Sequence, residues 1–193
     1  MHKCLFIAVL VGFTFAVTAH AQDGPKNSVV LIIRHAEDAD TGDGISSLGQ
    51  KRADAYTNYF LNLTVDSKHL EPQVIFAAKD SKKSHRPRLT VEPLAQAAKL
   101  KIDTRFGNSR SAELAADLRA KYQGKVILIC WRHPYVPALL DALGANAKTF
   151  LPNGKWPGAI FNWIILLSFD QEGRLIPSSS RRIEEHLVPG DPR

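Results

Sequence analysis

Two uninterrupted apolar runs in this chain end on the same pair of residues. Val29 to Ile33 is followed by Arg34-His35, and Val126 to Trp131 is followed by Arg132-His133. An apolar, β-branched run without polar alternation suits a strand buried on both faces, as in a parallel sheet covered by helices. Open sheets of that kind gather ligands beyond the carboxyl ends of their strands. The chain is thereby constrained to a layered fold carrying two Arg-His pairs beyond its strand ends.

The segments between these runs supply the other layers. Gly42, Gly44 and Ser46-Ser47 mark a loop, and from Gly49 the residues Ala53, Tyr56, Tyr59, Phe60 and Leu63 fall at helical spacing. Lys51, Arg52 and Asp54 lie outside that stripe. Val74 to Ala78 is a second short strand, and Pro87 opens a helix in which Pro93 predicts a kink or a restart. Leu114, Ala115, Leu118 and Tyr122 form a third helix stopped at Gly124, and Pro134 begins a fourth that Gly144 closes. Phe161 to Phe169 and Arg174 to Arg182 flank a turn at Asp170–Gly173 and read as a hairpin. The predicted architecture is an α/β three-layer sandwich, with a mainly parallel sheet flanked by helices and a C-terminal antiparallel hairpin at the edge. The tail from Pro189 is expected to be mobile.

The first residues have the pattern of an export signal. Lys3 precedes an apolar run from Leu5 to Val17, and Ala19-His20-Ala21 places small residues where a signal peptidase cleaves. The expectation is a signal peptide over residues 1–21 and a single domain over 22–193, periplasmic or secreted. The apolar run is shorter than the ~20 residues that a membrane-spanning helix needs, so no stable membrane insertion is expected after cleavage. Cys130 is then the single cysteine left, which rules out a disulfide within the mature chain. It sits in a core strand and reads as a small buried hydrophobe. The formal charge of +6 for the whole chain falls to +5 without Lys3. Such an excess favours anionic partners without selecting among them.

The positions of the basic residues are more selective. Arg34-His35 follows the first strand, His85-Arg86 precedes a helix after the second, and Arg132-His133 follows the core strand at a helix start. Free N–H groups at helix starts and guanidinium forks both favour an oxyanion, so two arginines and two histidines brought together make a phosphate pocket. An imidazole can also attack phosphorus, which makes His35 a candidate nucleophile. The nitrogen opposite the attacking one then needs an acceptor to fix the tautomer, and the sequence does not identify it.

Arg34-His35-Ala36-Glu37 after an apolar strand resembles the Arg-His-Gly signature of the histidine phosphatase superfamily. Leu48-Gly49-Gln50-Lys51-Arg52-Ala53 resembles the Leu-Thr-x-x-Gly-x-x-Arg-Ala segment of that superfamily, and Arg86-Pro87-Arg88-Leu89-Thr90 resembles its Arg-Ala-x-x-Thr element. His133 matches its second histidine, and the likeness covers about residues 29 to 145. The Ile-Cys-Trp-Arg-His-Pro segment, with Trp156-Pro157 and Phe161-Asn162-Trp163, is similar to an exported bacterial branch. The resemblance implies a phosphatase acting through phosphohistidine at His35, with Arg34, Arg86 and His133 stabilising the transferred group. It further implies a general acid either just after the second histidine, where Pro134 stands, or between the second arginine and the core strand. Glu113 is the candidate there, with Asp103 and Asp117 behind it.

Other residues leave alternatives open. Arg132 lines the pocket rim as a substrate-binding residue or forms an exposed ion pair, and Glu37 orients the nucleophile loop or faces water. Lys79, Lys82, Lys83, His85, Arg86 and Arg88 form a basic loop without interleaved aromatics, which suits a rim steering phosphorylated substrate better than a nucleic-acid surface. The arginines beside His35 and His133 would repel a metal ion, so no metal and no organic cofactor are expected. The expected partner is a phosphorylated small molecule or envelope sugar phosphate. The alternative is a non-catalytic phosphate- or anion-binding protein of the same fold.

Overall fold

The computed structural model describes residues 23–191, so the expected signal peptide lies outside the described residues. Strand β1 (Val29–Arg34) leads through a loop into helix α1 (Ser47–Leu61). A small hairpin of β2 (Thr64–Val65) and β3 (Lys68–His69) precedes β4 (Val74–Ala77), α2 (Arg86–Ala97) and β5 (Ile102–Asp103). Helix α3 (Ser111–Lys121), strand β6 (Val126–Trp131), helices α4 (Val136–Ala142) and α5 (Ala147–Phe150), and strands β7 (Trp163–Ser168) and β8 (Arg181–Glu184) complete the chain.

The main sheet has the order β5-β4-β6-β1-β7-β8. Its first four strands are parallel, β7 runs antiparallel to β1, and β8 antiparallel to β7. The three-layer α/β architecture expected from the sequence is the one observed. Continuous apolar runs allow β1 and β6 to be buried on both faces. Leu31, Ile33, Leu128 and Cys130 pack with Tyr56, Phe60, Val91 and Leu94 of α1 and α2. Val30, Ile32, Ile129 and Trp131 pack with Leu114, Leu118, Leu139 and Phe150 on the other side. Cys130 is fully buried, which pushes its thiol well up and leaves it inert. Among the described residues, no helix is long and apolar enough to cross a membrane.

Four local expectations differ from the structure. Helix α2 continues through Pro93 without a restart, because Val91 and Leu94 on either side are buried and hold the turn against the sheet. The second strand of the terminal hairpin starts at Arg181 rather than Arg174, since Phe169 and Leu175 bridge first and a 3-10 turn at Pro177–Ser179 intervenes. Arg52, outside the apolar stripe of α1, is only 2% exposed and is enclosed by the carboxylates of Glu37, Glu185 and Asp191. The tail is anchored as far as Asp191, the last described residue, with Asp191 Oδ1 2.5 Å from Arg52 Nη2 and Asp191 Oδ2 accepting from the amides of Leu187 and Val188.

Helix α1 approaches the loop after β1 closely. Ser46 caps the helix by accepting from the Gly49 amide at 3.0 Å, and a Cβ on Gly49 would lie 2.6 Å from the Glu37 carbonyl oxygen. Only glycine fits there. Gly49→Ala is expected to cost about 1–3 kcal/mol, read as a lower urea midpoint. Gly107→Ala is the control and should cost nothing, because a Cβ there meets no atom within 4 Å.

Candidate active site

The site is built where β1 and β6 end together. Arg34 pairs with Trp131 in register, and the His35 amide donates to the Trp131 carbonyl at 3.1 Å, extending the ladder by one rung. Beyond the strand ends His35 enters a loop and His133 opens a 3-10 turn (His133–Tyr135), and the two ring centroids are 6.2 Å apart. Strand β4 ends beside them, since the Ala78 amide bonds to the Cys130 carbonyl. Arg86, first residue of α2, follows from that end.

His35 is 2% exposed, and its Nδ1 lies 2.8 Å from the Ala36 carbonyl oxygen. A carbonyl only accepts, so Nδ1 carries the proton and Nε2 keeps its lone pair. Burial is the main reason that the His35 pKa is lowered to about 4, with Arg34 and Arg86 acting in the same direction against Ala36 and Asp38. His133 is likewise lowered to about 4, by burial first and then by Arg34 and Arg132. Both rings are neutral at pH 7, the form a nucleophilic imidazole needs.

Arg34 is buried and held by neutral groups. Its Nη1 donates to the carbonyls of Gly158 at 2.7 Å and Ile160 at 3.1 Å, and its guanidinium carbon sits 3.7 Å from the centroid of the Phe161 ring. Burial lowers its pKa to about 10, which leaves it charged at pH 7. Among the described residues its Nη2 meets no protein acceptor and its Nε is buried without a partner. Phe161 also meets the edge of His35 at 6.4 Å between centroids.

Arg86 Nε donates to the Gly44 carbonyl at 3.0 Å and Nη2 to the Gly42 carbonyl at 3.2 Å, so the loop before α1 aims the side chain. Thr90, one turn into α2, accepts from the Ala36 amide and donates to the Arg86 carbonyl, both at 2.8 Å. That hydroxyl joins the His35 loop to the helix carrying Arg86. Asp38 Oδ1 lies 3.3 Å from His35 Nδ1 and 3.2 Å from Arg86 Nε. The structure therefore brings Arg34, His35, Arg86 and His133 together as the sequence predicts, and adds Asp38, Thr90 and Phe161.

The surroundings of Glu37 and Arg132 are also on view. Glu37 accepts from Arg52 at 2.7 Å and orients the loop rather than facing water. Arg132 has no ion pair or side-chain hydrogen bond among the described residues, and its charge acts on His133. Glu113 does not join the group. It is exposed and ion-paired with Arg110, whose hydrogen bond holds the carboxyl below its ordinary pKa. Asp103 and Asp117 both pair with Arg105 at 2.7 Å. Among the described residues, no three or more His, Cys, Asp or Glu side chains gather as a metal-ligand set.

No protein-family model matches this sequence, and a search of curated proteins finds no match. Solved structures do match. SixA from Agrobacterium tumefaciens is 20% identical with a TM-score of 0.55, covering 81% of this chain and 98% of that one. Phosphoserine phosphatase from Entamoeba histolytica, in complex with 3-phosphoglyceric acid, is 13% identical with a TM-score of 0.56, covering 83% of this chain and 100% of that one. Phosphoglycerate mutase from Plasmodium falciparum is 15% identical at 0.51, covering 84% and 98%. The chain shares the α/β fold of these three structures. At these identities the likeness is one of architecture. On this fold, the Arg-His pairs sit at the ends of adjacent parallel strands.

Because each histidine titrates near pH 6.5 when unfolded and near 4 when folded, the unfolded chain binds more protons between those values. Stability is therefore expected to fall on acidification from about pH 6.5 to 4, read as a declining urea midpoint. The double variant His35→Gln/His133→Gln should flatten that slope.

Proposed function

We propose that this protein is an exported phosphatase that transfers a phosphoryl group to His35 and then to water. The observation that carries this reading is the His35 Nδ1 contact to the Ala36 carbonyl at 2.8 Å, which leaves a neutral Nε2 among three cationic or donor side chains. Arg34 Nη2, Arg86 and His133 offer donors to the equatorial oxygens of a phosphoryl group, where charge spreads in the transition state. One structural neighbour, the protein histidine phosphatase SixA, has been captured with tungstate, itself an oxyanion; its TM-score is 0.53 at 15% identity. In the first step the Nε2–P bond forms and the bond from phosphorus to the leaving group breaks, the leaving group departing with that electron pair. Water then attacks the phosphohistidine, releasing phosphate and neutral imidazole.

Asp38 bears on the substrate. This carboxylate lies on the Nδ1 side of His35, whereas the leaving group departs opposite Nε2. Glu113 is engaged with Arg110 on the surface. Substrates with a good leaving group, such as phosphohistidine, whose ring takes up its own proton near neutral pH, or acyl phosphates, fit this arrangement better than alkyl esters. Export rests on Lys3, the Leu5–Val17 run and Ala19-His20-Ala21, and favours a phosphorylated small molecule outside the cytoplasm.

Phosphate release from p-nitrophenyl phosphate and acetyl phosphate by residues 22–193 tests the reading. His35→Ala is expected to lose at least ~10³-fold in kcat and the acid-labile phosphoryl adduct with it. Equal rates for both proteins would leave only anion binding. Arg86→Lys should lose roughly 10²-fold, since lysine has no planar fork. Mass spectrometry of the exported protein should give Gln22 as its first residue.

A further inference from the structure

The loop that fixes the His35 tautomer is held from an unexpected direction. Glu37 follows Ala36, and its carboxylate accepts from Arg52 Nη2 at 2.7 Å. The same nitrogen lies 2.5 Å from Asp191 Oδ1, so two carboxylates share one corner of a guanidinium. The Asp191 carboxylate is presented by its own turn, with Oδ2 accepting from the Leu187 amide at 3.0 Å and the Val188 amide at 3.1 Å. Glu185 takes the other corner, Arg52 Nη1, at 2.8 Å and receives the Tyr56 hydroxyl at 2.9 Å.

We propose that Asp191 is a positioning residue for His35, acting through Arg52 and Glu37. The inference rests on the phosphatase reading above. Arg52, Asp191 and Glu37 are all largely buried, at 2%, 5% and 14% side-chain exposure, so this contact chain works in a low dielectric where charge-assisted hydrogen bonds are strong. A guanidinium is planar, so a carboxylate at each corner fixes its rotation. Without Asp191 the guanidinium keeps Glu37 at Nε and Nη2 and Glu185 at Nη1, but the pull that balances Glu37 across Nη2 is lost, so Arg52 shifts between the two remaining carboxylates and carries Glu37 with it. The peptide at Ala36–Glu37 contains the carbonyl that holds the His35 Nδ1 proton. The strap also reaches the other half of the site: Pro189 and Gly190 share a cleft of about 240 Å³ with Ala159 and Phe161, and Phe161 stacks on Arg34. A surface carboxylate would do none of this. Burial alone would raise the Asp191 pKa, but the Arg52 hydrogen bond outweighs it and holds the carboxyl below its ordinary value.

The test pairs Asp191→Asn and Asp191→Glu with the wild type. Nitrogen-15 spectra of the resting protein report the His35 tautomer without any turnover. Asp191→Asn is expected to mix the two tautomers and to lower kcat for acetyl phosphate roughly tenfold with KM within about twofold, and Asp191→Glu to recover part of both. An unchanged tautomer and kcat, with only a lower melting temperature, would reduce the strap to a structural brace and overturn the inference. Should Asp191→Asn not fold, Glu37→Gln cuts the same link in the middle while leaving the Arg52–Asp191 contact, and the same spectra decide. A wild type that forms no phosphohistidine would remove the phosphatase reading, whereas the tautomer comparison would still judge the positioning role.

Discussion

The in-register parallel pairing of β1 with β6 is the constraint on which the site depends. Both strands finish at one level, Arg34 beside Trp131, so the two histidines enter their loops as neighbours. A one-residue slip would turn one side chain of each pair to the opposite face of the sheet and separate the rings. The pairing is secured by core residues on both faces of both strands, far more contact than the site itself makes. Chemistry at the strand ends thus inherits its precision from aliphatic packing beneath it.

Two buried arginines show how the same side chain serves opposite ends. Arg34 is surrounded by backbone carbonyls and an aromatic face, which solvate the guanidinium without neutralising it. Its pKa falls to about 10 because burial outweighs the opposing pull of Asp38 and Glu37, neither of which pairs with it directly. Arg52 meets three carboxylates, and its pKa is raised despite burial. A cation left uncompensated can attract an anion from solution; one that is overcompensated cannot. The contrast leaves Arg34 a cation without a close counter-charge and makes Arg52 part of the architecture, although both are 2% exposed.

Much of this was legible in the residues themselves. Uninterrupted apolar runs located β1 and β6, and the Arg-His pairs at their ends located the site. Thr90 stood inside a recognised segment, yet its hydroxyl link between Ala36 and Arg86 belongs to three dimensions. The acceptor for His35 is a main-chain carbonyl, which no side-chain pattern encodes. Asp38 lies in an acid-rich loop without periodicity, so nothing distinguished it from Asp40. Arg52 appeared solvent-facing because two of its partners, Glu185 and Asp191, are more than a hundred residues distant in sequence. Helical spacing predicts which face is apolar, not where a remote carboxylate will return. Glu113 satisfied a helix-start rule and an ordinary surface pair, and those suffice to explain it.

The sheet also has two rims, and they differ from its interior. On one side β5 is a two-residue strand, too short to guide another chain along its free groups. On the other, β8 alternates half-buried and exposed positions and carries Arg181, Arg182 and Glu184. Short or charged outer strands discourage intermolecular zipping, the usual hazard of an open sheet rich in valine, isoleucine and leucine. The adhesive sequences that build the core are confined to the four inner strands, so the molecule can be concentrated without its sheets templating one another.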